Sequence, residues 1–88
     1  MRLRISGALL RFTDYRSVID VDAGTVEAAL LQLADAHAPF RKVLLDRSGR
    51  IRATHKIFLN GEQLAPDQLA RPAGASDQVD LITAISGG

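Results

Sequence analysis

The sequence predicts an α+β fold in which a mixed sheet of four to five strands packs on one main helix. Three observations indicate it: apolar residues alternate with charged ones in two early stretches, a later stretch has helical periodicity, and an Asn-Gly pair separates two short runs. Period-two alternation is typical of a strand with one buried face, and a period near 3.6 is typical of an amphipathic helix. The order strand, strand, helix, strand, strand, strand places the helix on one sheet face.

Two strands are predicted before the helix. Leu3 and Ile5 alternate with arginines, and Ile19 and Val21 alternate with aspartates. Both stretches therefore have one apolar face, and we expect them to pair as a hairpin.

The main helix is predicted over residues 26–37. Thr25 can cap its N-terminus with a side-chain oxygen, and Glu27 places a negative charge in the first turn, where the helix dipole favours it. Pro39 should end the helix, because the residue before a proline is displaced from helical backbone angles. One further short turn is expected over 40–44, followed by a loop.

The strongest local signal is the pair Asn60-Gly61, which suits the type I′ turn of a two-residue hairpin. It predicts the third and fourth strands on its two sides. An irregular connection with two prolines follows, and the apolar residues Val79 and Leu81 then predict the last strand.

Length and composition limit the classes of protein that are possible. The 88 residues allow one domain, for which we expect residues 1–84, followed by a flexible tail at 85–88. A net charge of +1 favours neither nucleic acid nor membrane as a partner. Without cysteine, the chain can form no disulfide, thiolate nucleophile or thiolate metal site. The first residues lack an apolar run of signal-peptide length, so we expect a cytoplasmic protein.

Four segments carry a family resemblance. They are Ala23-Gly24-Thr25-Val26 at the helix start, Leu59-Asn60-Gly61 in the hairpin, Asp77-Gln78-Val79-Asp80-Leu81-Ile82 in the last strand, and Gly87-Gly88 at the end. Together with the element order, they resemble the MoaD/ThiS family of ubiquitin-like sulfur carriers, which includes the small subunit of molybdopterin synthase. The resemblance covers nearly the whole chain and implies a β-grasp fold. The long segment 39–55 is similar to carriers that serve cysteine or secondary-metabolite biosynthesis.

The resemblance implies a reaction at Gly88. An ATP-dependent activating enzyme adenylates the terminal carboxylate, a sulfur-donor enzyme or sulfide converts it to a thiocarboxylate, and a downstream enzyme accepts the sulfur. Activation is needed because the carboxylate is ionised at neutral pH and is a poor electrophile. The chain is then a protein substrate, not an enzyme. It should bind no cofactor itself, since the partner enzyme uses the ATP.

The same resemblance suggests which residues contact partners. Phe58 and Ile82 should point away from the helix, since side chains alternate across a strand, and they are candidates for a docking face. Ile85 is expected to anchor the arm in a partner's channel, with Ser86 and Gly87 beside it. Four extended residues reach roughly 13 Å beyond the domain. The family often has a proline before the glycines; its absence here leaves the identity of the partner open.

Two alternatives from other classes stay open. A ubiquitin-like modifier shares the adenylation step but ends in an isopeptide bond between Gly88 and a lysine. A β-grasp binding module with an inert tail could instead use a basic run at 41–56 on RNA; this run has six basic residues and one acid, Asp46. The run has no aromatic residue for base stacking, so a solvated charged face is favoured and nucleic acid is not an expected partner.

A metal site is not predicted. His37 and His55 are 18 positions apart, and neither has a cysteine or a pair of carboxylates near it. His37 is expected in the last turn of the helix, and His55 is expected among the basic residues of 41–56.

Overall fold

The computed structural model describes residues 1–52 and 54–83. In this part of the chain, five strands form one sheet in the order β2-β1-β5-β3-β4. The strands are β1 Arg2–Ile5, β2 Val18–Asp20, β3 His55–Leu59, β4 Glu62–Gln63 and β5 Gln78–Thr83. β1 and β5 are parallel, and the other neighbouring pairs are antiparallel. The predicted mixed sheet and α+β class are confirmed.

Two α-helices follow β2: α1 spans Val26–Ala36 and α2 spans Ala38–Leu44. Thr25 caps α1 from an extended backbone, and its Oγ1 accepts a hydrogen bond from the amide of Ala28 at 3.0 Å. This cap satisfies one of the amides that the first turn leaves without a partner. The predicted cap is thus confirmed. His37 lies one residue beyond the last helical residue, not in the last turn.

The core lies between α1 and one face of the sheet. Its central side chains are Leu3, Ile5, Val26, Ala29, Leu30, Leu33, Ile57, Leu59, Val79 and Leu81, all at most 8% exposed. The strand residues alternate with exposed or half-buried ones, as the period-two pattern predicts. Ile19 and Val21 are only half-buried, because β2 is an edge strand and ends at Asp20.

Pro39 ends one helix and begins the next. It occupies the first turn of α2, where an amide would have no intrahelical partner and the fixed φ of proline favours the helix. The expected short turn is therefore a seven-residue helix. Phe40 and Leu44 are fully buried and attach this helix to the core.

Two 3₁₀ helices, Gly7–Phe12 and Pro66–Gln68, lie in the connections. The first replaces the simple hairpin expected between β1 and β2, although those strands still pair antiparallel. The turn between β3 and β4 is as predicted, since Asn60 and Gly61 both have positive φ, 50° and 88°. No helix in the described ranges has both the length and the apolar character needed to cross a bilayer.

Candidate functional site

The sheet face opposite α1 carries the predicted docking residues. Register places Val18, Arg4, Asp80 and Phe58 in one row across four adjacent strands. The buried residues on either side of Arg4 face the core, so this row faces away from the helix.

Ile82 lies on the same face, two residues after Asp80 on β5. Its side chain is 43% exposed, Val18 is 49% exposed and Phe58 is half-buried. An open groove of about 470 Å³ brings the three together. The groove is lined by Arg4, Ile5, Ser6, Ser17, Val18, Phe58, Gly61, Asp80 and Ile82. Scattered exposed apolar residues are normal, whereas three in one groove form a candidate contact surface.

An ion pair lies in the middle of this groove. Arg4 Nε donates to Asp80 Oδ1 at 2.6 Å, and the arginine side chain is 55% exposed. Exposed pairs of this kind stabilise a fold by at most about 1 kcal/mol. The main effect of the pair is on the surface, because it places a charged centre between apolar side chains.

The last described residue of β5 is held from behind by a buried histidine. His55 is 8% exposed, its Nδ1 lies 2.9 Å from Thr83 Oγ1, and its Nε2 lies 2.7 Å from the carbonyl oxygen of Val43. The sequence interpretation placed His55 among exposed basic residues and is wrong on this point. The sequence does contain a signal for this burial. His55 is an even number of residues from Ile57 and Leu59, which face the core, so its side chain lies on the same side of β3.

The basic run 41–56 does not form one continuous face. Arg41 pairs with Asp35 at 2.8 Å, and Lys56 is the strand partner of Ile82 on the outer sheet face. Arg50 lines a pocket beside Glu27, while Lys42 and Arg52 line another beside Thr83. The dispersion of these cations weakens the reading of the run as an RNA-binding strip.

The acid within this run is held by its own loop. The Ser48 hydroxyl donates to Asp46 Oδ1 at 2.6 Å and the Arg50 amide donates at 3.1 Å. These hydrogen bonds favour the ionised form and lower the pKa of Asp46. The loop thus uses Asp46 to order its backbone.

Four predicted site residues, Ile85, Ser86, Gly87 and Gly88, lie outside the described residues. Their roles stay predictions. Phe58 and Ile82 lie together on one surface, and their role in docking also stays a prediction. Val18 was missed, because a single valine before Ile19 gives no signal that separates a surface position from a core one. Among the described residues, no His, Cys, Asp and Glu side chains group as a metal ion would require.

Comparison with known proteins gives structural neighbours over the whole chain. No family model matches the sequence, and no curated protein sequence matches it. The crystal structure of SAMP1 from Haloferax volcanii is 27% identical, covers 99% of this chain and 97% of its own, and superposes with a TM-score of 0.82.

Two further structures are similar in fold. SAMP1 from Methanosarcina acetivorans has a TM-score of 0.86 at 17% identity, covering 99% of this chain and 94% of its own. A chain of the BexX/CysO complex from Amycolatopsis orientalis has a TM-score of 0.81 at 18% identity, covering 99% and 98%.

The fold and these neighbours define the class of protein. The chain has the β-grasp fold of ubiquitin-like proteins. Its neighbours include SAMP1, CysO and Urm1, which are ubiquitin-like sulfur carriers of the MoaD/ThiS type, so the resemblance in the sequence is confirmed. These neighbours are small carrier or modifier proteins, and the chain has their fold.

Proposed function

We propose that the chain is a sulfur carrier whose Gly88 carboxylate is adenylated by a partner enzyme and converted to a thiocarboxylate. The observation that carries the proposal is the likeness to SAMP1 across 99% of the chain at 27% identity. The proposal places the reaction in the arm at 85–88 and leaves the domain as the part that partners bind. The absence of cysteine fits the reducing cytoplasm, where we place the protein.

The chemistry needs two partner-catalysed steps. A carboxylate oxygen of Gly88 attacks the α-phosphorus of ATP, and pyrophosphate leaves to give an acyl-adenylate. Hydrosulfide then attacks the carbonyl carbon, AMP leaves, and loss of a proton gives the thiocarboxylate. If a persulfide supplies the sulfur, a thiol must then reduce the resulting acyl disulfide. In neither case does a side chain of this chain have to act as acid or base.

The groove on the outer face supports the assignment of partners. An activating enzyme must hold the domain while the arm reaches its active site, and the groove with Val18, Phe58 and Ile82 offers apolar contact around a charged centre. One structural neighbour was solved as a complex of BexX with CysO. By analogy, we assign to this face an adenylating enzyme and, after it, the enzyme that accepts the sulfur.

A specific observation favours a second candidate function. A structure of the Haloferax volcanii neighbour is described as small archaeal modifier protein 1. A modifier would share the adenylation of Gly88 and then form an isopeptide bond with a lysine. The two functions differ in the nucleophile that attacks the adenylate.

Intact mass spectrometry tests the proposal. The protein is incubated with ATP, a candidate activating enzyme and hydrosulfide, and the expected product has one oxygen replaced by sulfur. A variant that lacks Gly87 and Gly88 is the control and should stay unmodified. Unmodified wild-type protein in a mixture that converts a known carrier would contradict the proposal. Adenylate followed by lysine adducts, with no thiocarboxylate, would support the modifier instead.

A further inference from the structure

His55 is a buried titratable residue for which the proposed carrier chemistry has no use. It is the first residue of β3, and its strand partner is Thr83, the last residue of β5. The predicted arm at 85–88 begins two residues after Thr83 in the sequence. His55 therefore contacts the end of the strand from which the arm leads.

The two hydrogen bonds of the ring fix its tautomer. A carbonyl oxygen can only accept, so the contact between Nε2 and the carbonyl of Val43 at 2.7 Å requires a proton on Nε2. In the neutral ring Nδ1 then accepts from the hydroxyl of Thr83 at 2.9 Å. Val43 lies in the last turn of α2, where carbonyls lack intrahelical partners. The imidazole thus joins the end of a helix to the end of the last strand.

We propose that His55 is a positioning residue for the C-terminal arm and acts through the hydroxyl of Thr83. Strand pairing fixes the backbone of Thr83. The hydrogen bond between the Thr83 hydroxyl and His55 also fixes the orientation of Thr83 relative to α2. Four extended residues would span roughly 13 Å, so a change of angle at Thr83 would displace the end of such an arm more than its start. The functional part of the proposal rests on the proposed carrier function.

The proposal separates two steps at a partner enzyme. Docking through Val18, Phe58 and Ile82 uses the outer sheet face, whereas His55 is buried behind the sheet. Loss of the bond to Thr83 should therefore leave KM for the carrier unchanged and lower kcat for adenylation. The expected decrease is up to about a hundred-fold, the factor that a misplacement of the reacting group by about 1 Å can cost.

Thr83→Val tests the proposal, because valine keeps the branched shape and removes the hydroxyl. Thr83→Ser keeps the hydroxyl and is the matched control. ¹⁵N relaxation of the amides of Thr83 and Ala84, which precede the predicted flexible tail, should show lower order parameters in Thr83→Val than in wild type, and little change in Thr83→Ser. If Thr83→Val lowers the melting temperature but leaves these order parameters at wild-type values, His55 is only structural and the proposal is overturned.

A second measurement uses the wild-type protein alone. ¹⁵N chemical shifts of the His55 ring should show a protonated Nε2 and an unprotonated Nδ1 in the neutral state; the opposite tautomer would overturn the proposal. These measurements need no partner. If no activating enzyme modifies the wild type while Thr83→Val still lowers the order parameters of Thr83 and Ala84, the carrier function fails and the positioning role of His55 stands.

Discussion

Asp77 shows how one side chain can fix a junction between strands. Its Oδ1 accepts from the Asn60 amide at 2.9 Å, and its Oδ2 accepts from the backbone N–H of Gly74 at 2.7 Å. Asn60 in turn accepts from the backbone N–H of Gln78 at 2.9 Å. The carboxylate thereby connects the β3–β4 turn to the start of β5. The hydrogen bond from Asn60, followed by that from Gly74, lowers the pKa of Asp77.

This pKa gives a prediction for acid unfolding. A carboxyl whose pKa is lower in the folded state stabilises the fold above its unfolded-state pKa, and the contribution is lost as pH falls through the folded-state pKa. Asp77→Asn should therefore be less stable than wild type at neutral pH, with a difference that shrinks in acid. Urea unfolding at a series of pH values measures it.

Asp22→Asn is the control for this experiment. The Asp22 side chain is exposed and forms no hydrogen bond within residues 1–52 and 54–83. This variant should follow the wild-type dependence on pH. A constant difference between Asp77→Asn and wild type down to the acid limit would contradict the assigned role of Asp77.

Gly61 carries a constraint that only its backbone explains. Its φ is +88°, and an added Cβ would meet no atom within 4 Å. Gly61→Ala should thus cost about 1–2 kcal/mol of unfolding free energy through left-handed backbone strain alone. Gly24→Ala is the control, since a Cβ there also meets open space and its φ is not in the positive region. Equal stability of the two variants in chemical denaturation would refute this explanation.

At the level of elements, α1 depends on its cap. Thr25→Ala removes the acceptor of the Ala28 amide and should lower the unfolding free energy by about 1 kcal/mol. Thr25→Ser keeps an oxygen at that place and should lose much less. Urea titrations of the two variants, with the same dependence on denaturant, measure the difference. A loss of equal size in both would mean that the methyl group of Thr25, not its oxygen, stabilises the helix start.

The elements that the sequence predicts well have a repeated signal. Two strands are predicted by apolar residues at every second position, Leu3 with Ile5 and Val79 with Leu81. Asn60 predicts the turn, because asparagine adopts positive φ more readily than most residues. The 3₁₀ helix Gly7–Phe12 has six residues, too few for a periodic pattern that would distinguish it from a loop. Pro39 predicts the end of a helix, but its fixed φ is equally suited to the first turn of a new helix. The burial of Phe40 in the tertiary structure decides that α2 begins here.

The candidate site divides in the same way. Phe58 and Ile82 could be assigned to the outer face because alternation fixes the direction of strand side chains. That Val18 joins them depends on the antiparallel pairing of β2 with β1, a contact distant in sequence. The bond from His55 to Val43 depends on the packing of α2 behind β3, which no local pattern encodes. Sequence thus predicts faces, while topology decides which faces meet.

The whole domain separates folding from docking by using opposite faces of one sheet. Leu30 on α1 is fully buried against the inner face, whereas Ile82 is 43% exposed on the outer face. A small domain has only about 5–15 kcal/mol of stability, and a buried Leu→Ala change removes about 2–5 kcal/mol of it. Core changes should therefore reduce every activity together, and changes on the outer face should not.

The last prediction follows from this separation. Ile82→Thr keeps a β-branched residue on the strand and removes the outer apolar atoms of a residue that is 43% exposed, so its unfolding free energy should fall by at most about 1 kcal/mol. Its affinity for an activating enzyme should fall about five- to ten-fold, because the apolar contact that Ile82 offers is lost. Leu30→Ala is the comparison and should lose stability first. Calorimetric titration with the enzyme, together with thermal unfolding, measures both quantities. Wild-type affinity in Ile82→Thr would show that this enzyme binds another surface of the domain.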